Sequence, residues 1–114
     1  MRGIMTFRTV YARELVEKQR EENALVVDIR SREEYYRGHF HGAIVYPYEE
    51  NEKWGMRLPV KRTLILYCDH GGTSMQAARK LGRKGYRVYT VIGGYEAIKK
   101  NEENYFKNSD SVSQ

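Results

Sequence analysis

Leu64-Ile65-Leu66-Tyr67, continued by Cys68-Asp69-His70-Gly71-Gly72-Thr73-Ser74, places a strand, a glycine-rich loop and a helix start in direct succession. The run Thr63 to Tyr67 has strand length and no polar face, which suits a strand at the centre of a sheet covered on both sides. Gly71 and Gly72 let the backbone take positive φ and turn tightly. Thr73 or Ser74 supplies a helix cap, and Ala77, Ala78 and Leu81 form the inward stripe of the helix that follows. Gly85 ends that helix as a C′ residue.

Working outward, the same alternation recurs. Upstream, Phe7 to Val10 predicts a first strand, and Tyr11 with Leu15 and Ala12 with Val16 recur at helical spacing. Ala24 to Ile29 predicts a second strand. Ser31-Arg32-Glu33-Glu34 reads as a capping box opening a short helix that Gly38 stops. Ala43 to Tyr46 predicts a third strand, ended by Pro47. Tyr48 to Val60 has no clean period and predicts a loop with a helical turn, Trp54 and Met56 packing inward. Downstream, Arg87 to Ile92 predicts the last strand, then Gly93-Gly94 and a helix from Tyr95 to about Lys100. Strands alternating with helices indicate an α/β domain with a mainly parallel sheet. Residues 1–100 are expected to form one domain, and the polar stretch 101–114 a frayed or disordered tail.

Composition narrows the class without choosing a function. The chain has 114 residues, room for one compact domain. No apolar run approaches the roughly 20 residues of a bilayer span, and Arg8 interrupts the apolar character a leader needs near the N-terminus. The expectation is a cytoplasmic protein with no membrane partner. Cys68 is the only cysteine, so no internal disulfide forms and no resolving thiol stands by; both suit a reducing compartment. The net charge of +5 gathers in Arg79, Lys80, Arg83, Lys84 and Arg87. We read this run as a solvated face, with attraction of small anions second and no nucleic-acid partner.

In α/β sheets ligands sit beyond the carboxyl ends of the strands, which puts the chemistry in the loop after Tyr67. A core cysteine has no need of a Gly-Gly loop. Such a loop can aim several N–H groups at one point, and the helix N-terminus adds its unpaired N–H groups and positive dipole end. These features favour negative charge on the Cys68 sulfur, both as a thiolate and as a persulfide, which is a weaker base. His70 would add to the effect if protonated; Asp69 would oppose it if turned inward.

Three stretches in order resemble the rhodanese homology family, over roughly residues 6–100. They are Val27-Asp28-Ile29-Arg30 with Glu33-Glu34-Tyr35 and Gly38-His39-Phe40-His41-Gly42-Ala43; Tyr67-Cys68 through Ser74; and Val91-Ile92-Gly93-Gly94-Tyr95. The resemblance implies a small α/β fold with a central, mainly parallel sheet of about five strands flanked by helices on both faces. It also implies a sulfurtransferase carrying transferable sulfur as a persulfide on Cys68. The donor would be thiosulfate or a persulfide, and the acceptor cyanide in an assay or a thiol or sulfur-carrier protein in the cell. The alternative is a non-catalytic binding module that keeps the fold.

Loop length separates chemistries within that superfamily. Cys68 through Thr73 is six residues, as in sulfurtransferases; related phosphatases and arsenate reductases use a loop one residue longer, ending in an arginine that grips the oxyanion. Thr73 stands here where many sulfurtransferases also carry arginine, so thiosulfate is expected to be a mediocre donor. Backbone amides, with the hydroxyls of Thr73 and Ser74, would then hold the anion. Asp69, His70, Gly71, Gly72, Thr73 and Ser74 are the expected substrate loop, and Asp28 with Arg30 its support. His39 and His41 fit a packing or hydrogen-bonding role; with Cys68 and His70 they lack the spacing of a zinc site. Gly93-Gly94 reads as a last tight turn, with Tyr95 at the pocket rim or in the core. Neither metal nor cofactor is expected.

Overall fold

The computed structural model describes residues 6–112, with backbone course alone for residues 55, 56 and 105–112. Five strands, β1 (Arg8–Tyr11), β2 (Leu25–Asp28), β3 (Ile44–Val45), β4 (Leu64–Tyr67) and β5 (Val88–Ile92), alternate with α1 (Leu15–Glu22), α2 (Arg32–Arg37), α3 (Gly72–Arg83) and α4 (Gly94–Val112). They form one sheet in the order β1-β5-β4-β2-β3, and every pairing is parallel. The expected α/β architecture is therefore the one observed.

β4 lies at the centre and is buried along its whole length. Side chains alternate across a strand, so Leu64 and Leu66 face Ala77, Ala78 and Leu81 of α3, with Val27, Trp54 and Val88. Ile65 and Tyr67 face the opposite layer, with Leu15 of α1 and Ile98 of α4 joined by Val10, Val26 and Val91. Helices thus cover both faces, and every β-to-α loop opens at the carboxyl end of the sheet.

Local signals place most boundaries. Ser31 caps α2 through a capping box with Glu34. Gly85, with φ +97°, ends α3 in a Schellman turn: Tyr86 N–H returns to Leu81 C=O and Gly85 N–H to Gly82 C=O.

Four expectations are corrected. Between the first two strands, Leu15 is buried, whereas Tyr11 and Val16 stay about half exposed; a 3-10 turn at Ala12–Glu14 precedes α1 and resets the helical phase. Tyr48–Met56 is two 3-10 pieces meeting at a kink at Glu50, more helical than the expected loop with a single helical turn. It buries Trp54, whose ring N–H donates to Pro47 C=O at 3.2 Å; the Met56 side chain lies outside the described residues. Neither Thr73 nor Ser74 caps α3: the N-cap is Gly71. Finally, the helix expected to stop near Lys100 runs to Val112. Residues 101–112 contain neither Pro nor Gly, and their polarity argues for exposure, not against helix. Residues 113 and 114, the end of the expected tail, and residues 1–5 of the expected leaderless start lie outside the described residues. Among the described residues no helix is long and apolar enough to cross a membrane.

Candidate active site

Cys68 follows the last residue of β4, and its sulfur lies under the first turn of α3. Gly71 N–H donates to Sγ at 3.1 Å and Ser74 N–H at 3.3 Å. Ser74 is the third residue of the helix, and its N–H is one a capping side chain ordinarily takes. The cysteine sulfur therefore replaces the missing cap. Two N–H dipoles and the positive end of a helix converge on one atom, an arrangement that stabilises negative charge there. Gly71 reaches this geometry at φ +112°, and a Cβ there would come within 3.3 Å of the Gly93 nitrogen.

The remaining loop residues divide into rim and support. Thr73 is exposed and brings no charge to the mouth of the loop. His70 is also exposed, its Nδ1 3.3 Å from the Glu96 carboxylate. The Ser74 hydroxyl, expected to help hold an anion, is instead fully buried. It donates to Gly71 C=O at 3.1 Å and accepts from the Thr90 hydroxyl at 2.6 Å. Its position on the inner face of the amphipathic α3 dictates this. Ser74 thus serves the site through its backbone N–H and pins the loop with its side chain.

Asp28 and Arg30 lie beneath the loop. Asp28 accepts the Arg30 backbone N–H at 2.9 Å, its Nε at 3.0 Å and its Nη2 at 2.7 Å. Nη2 also donates to Gly38 C=O at 2.7 Å, and the guanidinium stacks 4.0 Å from the Tyr95 ring. Nη1 stands 3.8 Å from Asp69 Oδ1. Both partners of the Asp28–Arg30 pair are buried, and Arg30's charge is already committed to carboxylates, so it adds no free cation to the mouth. Asp69 points outward, half exposed. Partial burial and the neighbouring Glu34 raise its carboxyl above the usual range, against Arg30 and His70. Burial would raise Glu34 as well, but hydrogen bonds from Ser31 and Asp69 hold it below.

Sequence reading missed how α4 shapes the site. Tyr95 N–H donates to Cys68 C=O at 2.7 Å and Glu96 N–H to Asp69 C=O at 3.2 Å. With those two carbonyls held toward α4, the loop's N–H groups turn toward the sulfur. Gly94 permits the approach: a Cβ there would lie 2.5 Å from Cys68 O. The signal was present as Gly93-Gly94-Tyr95, yet a turn is the simplest reading of two glycines until their neighbour is known. Tyr67 was also missed. Its hydroxyl accepts Phe40 N–H at 3.0 Å, and burial pushes its pKa far above the ordinary tyrosine value. His39 stacks on Tyr35 at 3.7 Å and hydrogen-bonds Tyr35 C=O through Nδ1 at 2.8 Å, a packing role, while His41 is exposed. Among the described residues, no three His, Cys, Asp or Glu side chains group as a metal site.

A parallel α/β sheet whose central strand ends in a cysteine, with loop amides and a helix N-terminus converging on its sulfur, defines a class of domain built around that loop. The rhodanese-like domain family matches residues 11–101, and the chain belongs to that family. It is 36% identical over 72 residues to a tRNA sulfurtransferase of Desulfurococcus amylolyticus, covering 63% of this chain and 14% of that protein's length. It is 24% identical over 96 residues to the thiosulfate sulfurtransferase GlpE of Coxiella burnetii, covering 83% of this chain and 90% of the relative. Among solved structures, a rhodanese homologue from Thermus thermophilus superposes with TM-score 0.63 at 35% identity, covering 79% of this chain and 99% of that one. A rhodanese-related protein from Thermoplasma volcanium gives TM-score 0.74 at 27% identity, covering 82% and 92%.

Proposed function

We propose that the protein is a sulfurtransferase working by a two-step cycle through a Cys68 persulfide. The Cys68 thiolate attacks the outer, sulfane sulfur of a donor. A new S–S bond forms, the donor's own bond to that sulfur breaks, and the leaving group departs with the electron pair: sulfite from thiosulfate, a thiolate from an organic persulfide. An acceptor nucleophile then attacks the outer sulfur and Cys68 leaves as thiolate. Cyanide would become thiocyanate in this step, and a thiol would become a persulfide.

The observation that carries this reading is the convergence of the Gly71 and Ser74 N–H groups on Sγ. The same amides stabilise the attacking thiolate and the persulfide anion, so no group need move between half-reactions. Thr73 supplies no charge for a sulfonate, so amides alone grip thiosulfate, and an organic persulfide is the better donor. With one cysteine in the chain, the persulfide has no internal thiol to resolve it. Turnover therefore depends on an outside acceptor, a small thiol or a sulfur-carrier protein, in a reducing compartment such as the cytoplasm.

Intact mass spectrometry after incubation with thiosulfate, and separately with a small organic persulfide, tests this. The expected result is a gain of about 32 Da, one sulfur atom, removed by cyanide and absent in Cys68→Ser. A protein that gains no sulfur from either donor would instead be a binding module on the same fold.

A further inference from the structure

Thr90 is a polar residue in an apolar layer. It stands in β5 between Thr9 of β1 and Leu66 of β4. Side chains alternate across a strand, so its hydroxyl lies on the same face as Val88 and Leu66, the face that α3 covers. Thr90 is only 1% exposed. Valine has nearly the same shape and would fill this place with no polar group to satisfy, so packing gives no reason for the hydroxyl. Ser74 is in the same position. It is fully buried on the inner face of α3 with Ala77 and Ala78, where alanine would pack as well.

The two hydroxyls form a chain that ends at the loop. Thr90 donates to Ser74 at 2.6 Å, and Ser74 donates to Gly71 C=O at 3.1 Å. A hydrogen bond received by a hydroxyl strengthens the one that it gives. Gly71 C=O also accepts Met75 N–H at 3.2 Å, so the carbonyl keeps a partner without the chain. What the chain adds is a tie between the left-handed corner of the loop and the sheet. Gly71 and Gly72 have no side chains to fix that corner. Gly71 N–H is one of the two donors on the Cys68 sulfur and Ser74 N–H is the other. Both donors therefore belong to residues that the chain holds.

We infer that Thr90 is a positioning residue for sulfur loading: through the Ser74 hydroxyl it holds the Gly71 and Ser74 N–H groups on the Cys68 sulfur. The inference rests on the sulfur-transfer reading above and adds a residue of β5 to it. Both Thr90 and Ser74 are buried, so the chain acts on the reacting sulfur and leaves the binding of a donor alone.

Two rates test this in wild type, Thr90→Val, Thr90→Ser and Thr90→Val/Ser74→Ala. One is sulfur loading from a small organic persulfide, followed by intact mass; the other is alkylation of Cys68 by iodoacetamide at neutral pH, which needs no sulfur donor. Removing both partners of a buried hydrogen bond is close to neutral for stability, so the double variant is expected to keep the wild-type thermal midpoint. Both rates are expected to fall about five-fold in Thr90→Val and about ten-fold in the double variant. The donor concentration for half-maximal loading should not change, and Thr90→Ser should restore both rates. If Thr90→Val loses stability, the double variant decides. Wild-type rates in the double variant, or Thr90→Ser as slow as Thr90→Val, overturn the inference and leave the sulfurtransferase reading standing. A wild type that gains no sulfur, with alkylation still slowed in the variants, overturns the sulfurtransferase reading and leaves the role of Thr90 at the sulfur standing.

Discussion

The two ends of the sheet each carry a carboxylate that gathers hydrogen bonds, and they use it differently. At the carboxyl end, Asp28 is completely buried and takes three donors from one residue two positions away, Arg30. At the amino end, Glu22 is largely covered while its partner Arg87 is exposed. It takes Arg87 Nε at 3.0 Å, the Tyr89 hydroxyl at 3.2 Å and the Thr63 hydroxyl at 3.3 Å. The buried pair is local in sequence and long-range in effect, because Arg30 goes on to touch Gly38, Tyr95 and Asp69 around the Cys68 loop. The surface cluster is long-range in sequence and ties the end of α1 to the starts of β4 and β5. Burial makes the first a positioning device that is costly to break; exposure makes the second a modest staple.

Removing a partner at each end measures that difference. Arg30→Ala strands the Asp28 carboxylate in the interior and is expected to cost about 3–5 kcal/mol in urea unfolding. Its rate of persulfide formation should fall along with the stability. A loss under 1 kcal/mol would show that water reaches Asp28 and that the contrast in burial does not hold. Gly94→Ala attacks the same end from the opposite element. The residue has φ +63° and its Cβ would meet the Cys68 and Asp69 backbone, so a destabilisation of about 2–4 kcal/mol is expected. Sulfur loading by mass spectrometry should be impaired even under conditions where the variant remains folded. Normal loading would mean that the carbonyls held by α4 do not set the amide cradle.

The smallest effect belongs to the amino end. Hydrogen bonds from Arg87 hold the Glu22 carboxyl below the ordinary value of 4.5, outweighing partial burial, with its charge, Tyr89 and Thr63 assisting. A lowered folded pKa means stability that is complete above pH 4.5 and lost as pH falls through the lower folded value. Glu22→Gln should therefore be less stable by about 1 kcal/mol near neutrality, and the gap should close under acid. A gap that stays constant with pH would assign the loss to packing instead of charge. Persulfide formation should be untouched, since the cluster lies at the opposite end of the sheet from Cys68.

Legibility followed range. The strand at Leu64–Tyr67, the turn at Gly71, the capping box at Ser31 and the stop at Gly85 are each written within a few neighbouring residues, and each was readable. The phase of α1 was not, because the 3-10 turn before it shifts which residues face inward. The extension of α4 was not readable, because residues 101–112 are mostly polar and mostly weak helix formers, and nothing local in them marks a helix that continues from Lys100. At the candidate site, the placement of Cys68 at the end of the strand and of the loop after it was readable from the glycines and the strand before them. The role of the Ser74 side chain was not, because its partner Thr90 lies on another strand.

By itself, the sequence determined the alternation of strands and helices, the cysteine at the end of the central strand and the six-residue loop without an arginine. Those features are local and rest on period, glycine placement and residue chemistry. Only the tertiary structure decided that the sulfur takes the cap's hydrogen bond, that α4 holds the loop's carbonyls, and that Arg30 is spent on carboxylates beneath the loop. Each of these depends on groups distant in sequence meeting at one point, and no local pattern records where a neighbouring element will come to rest.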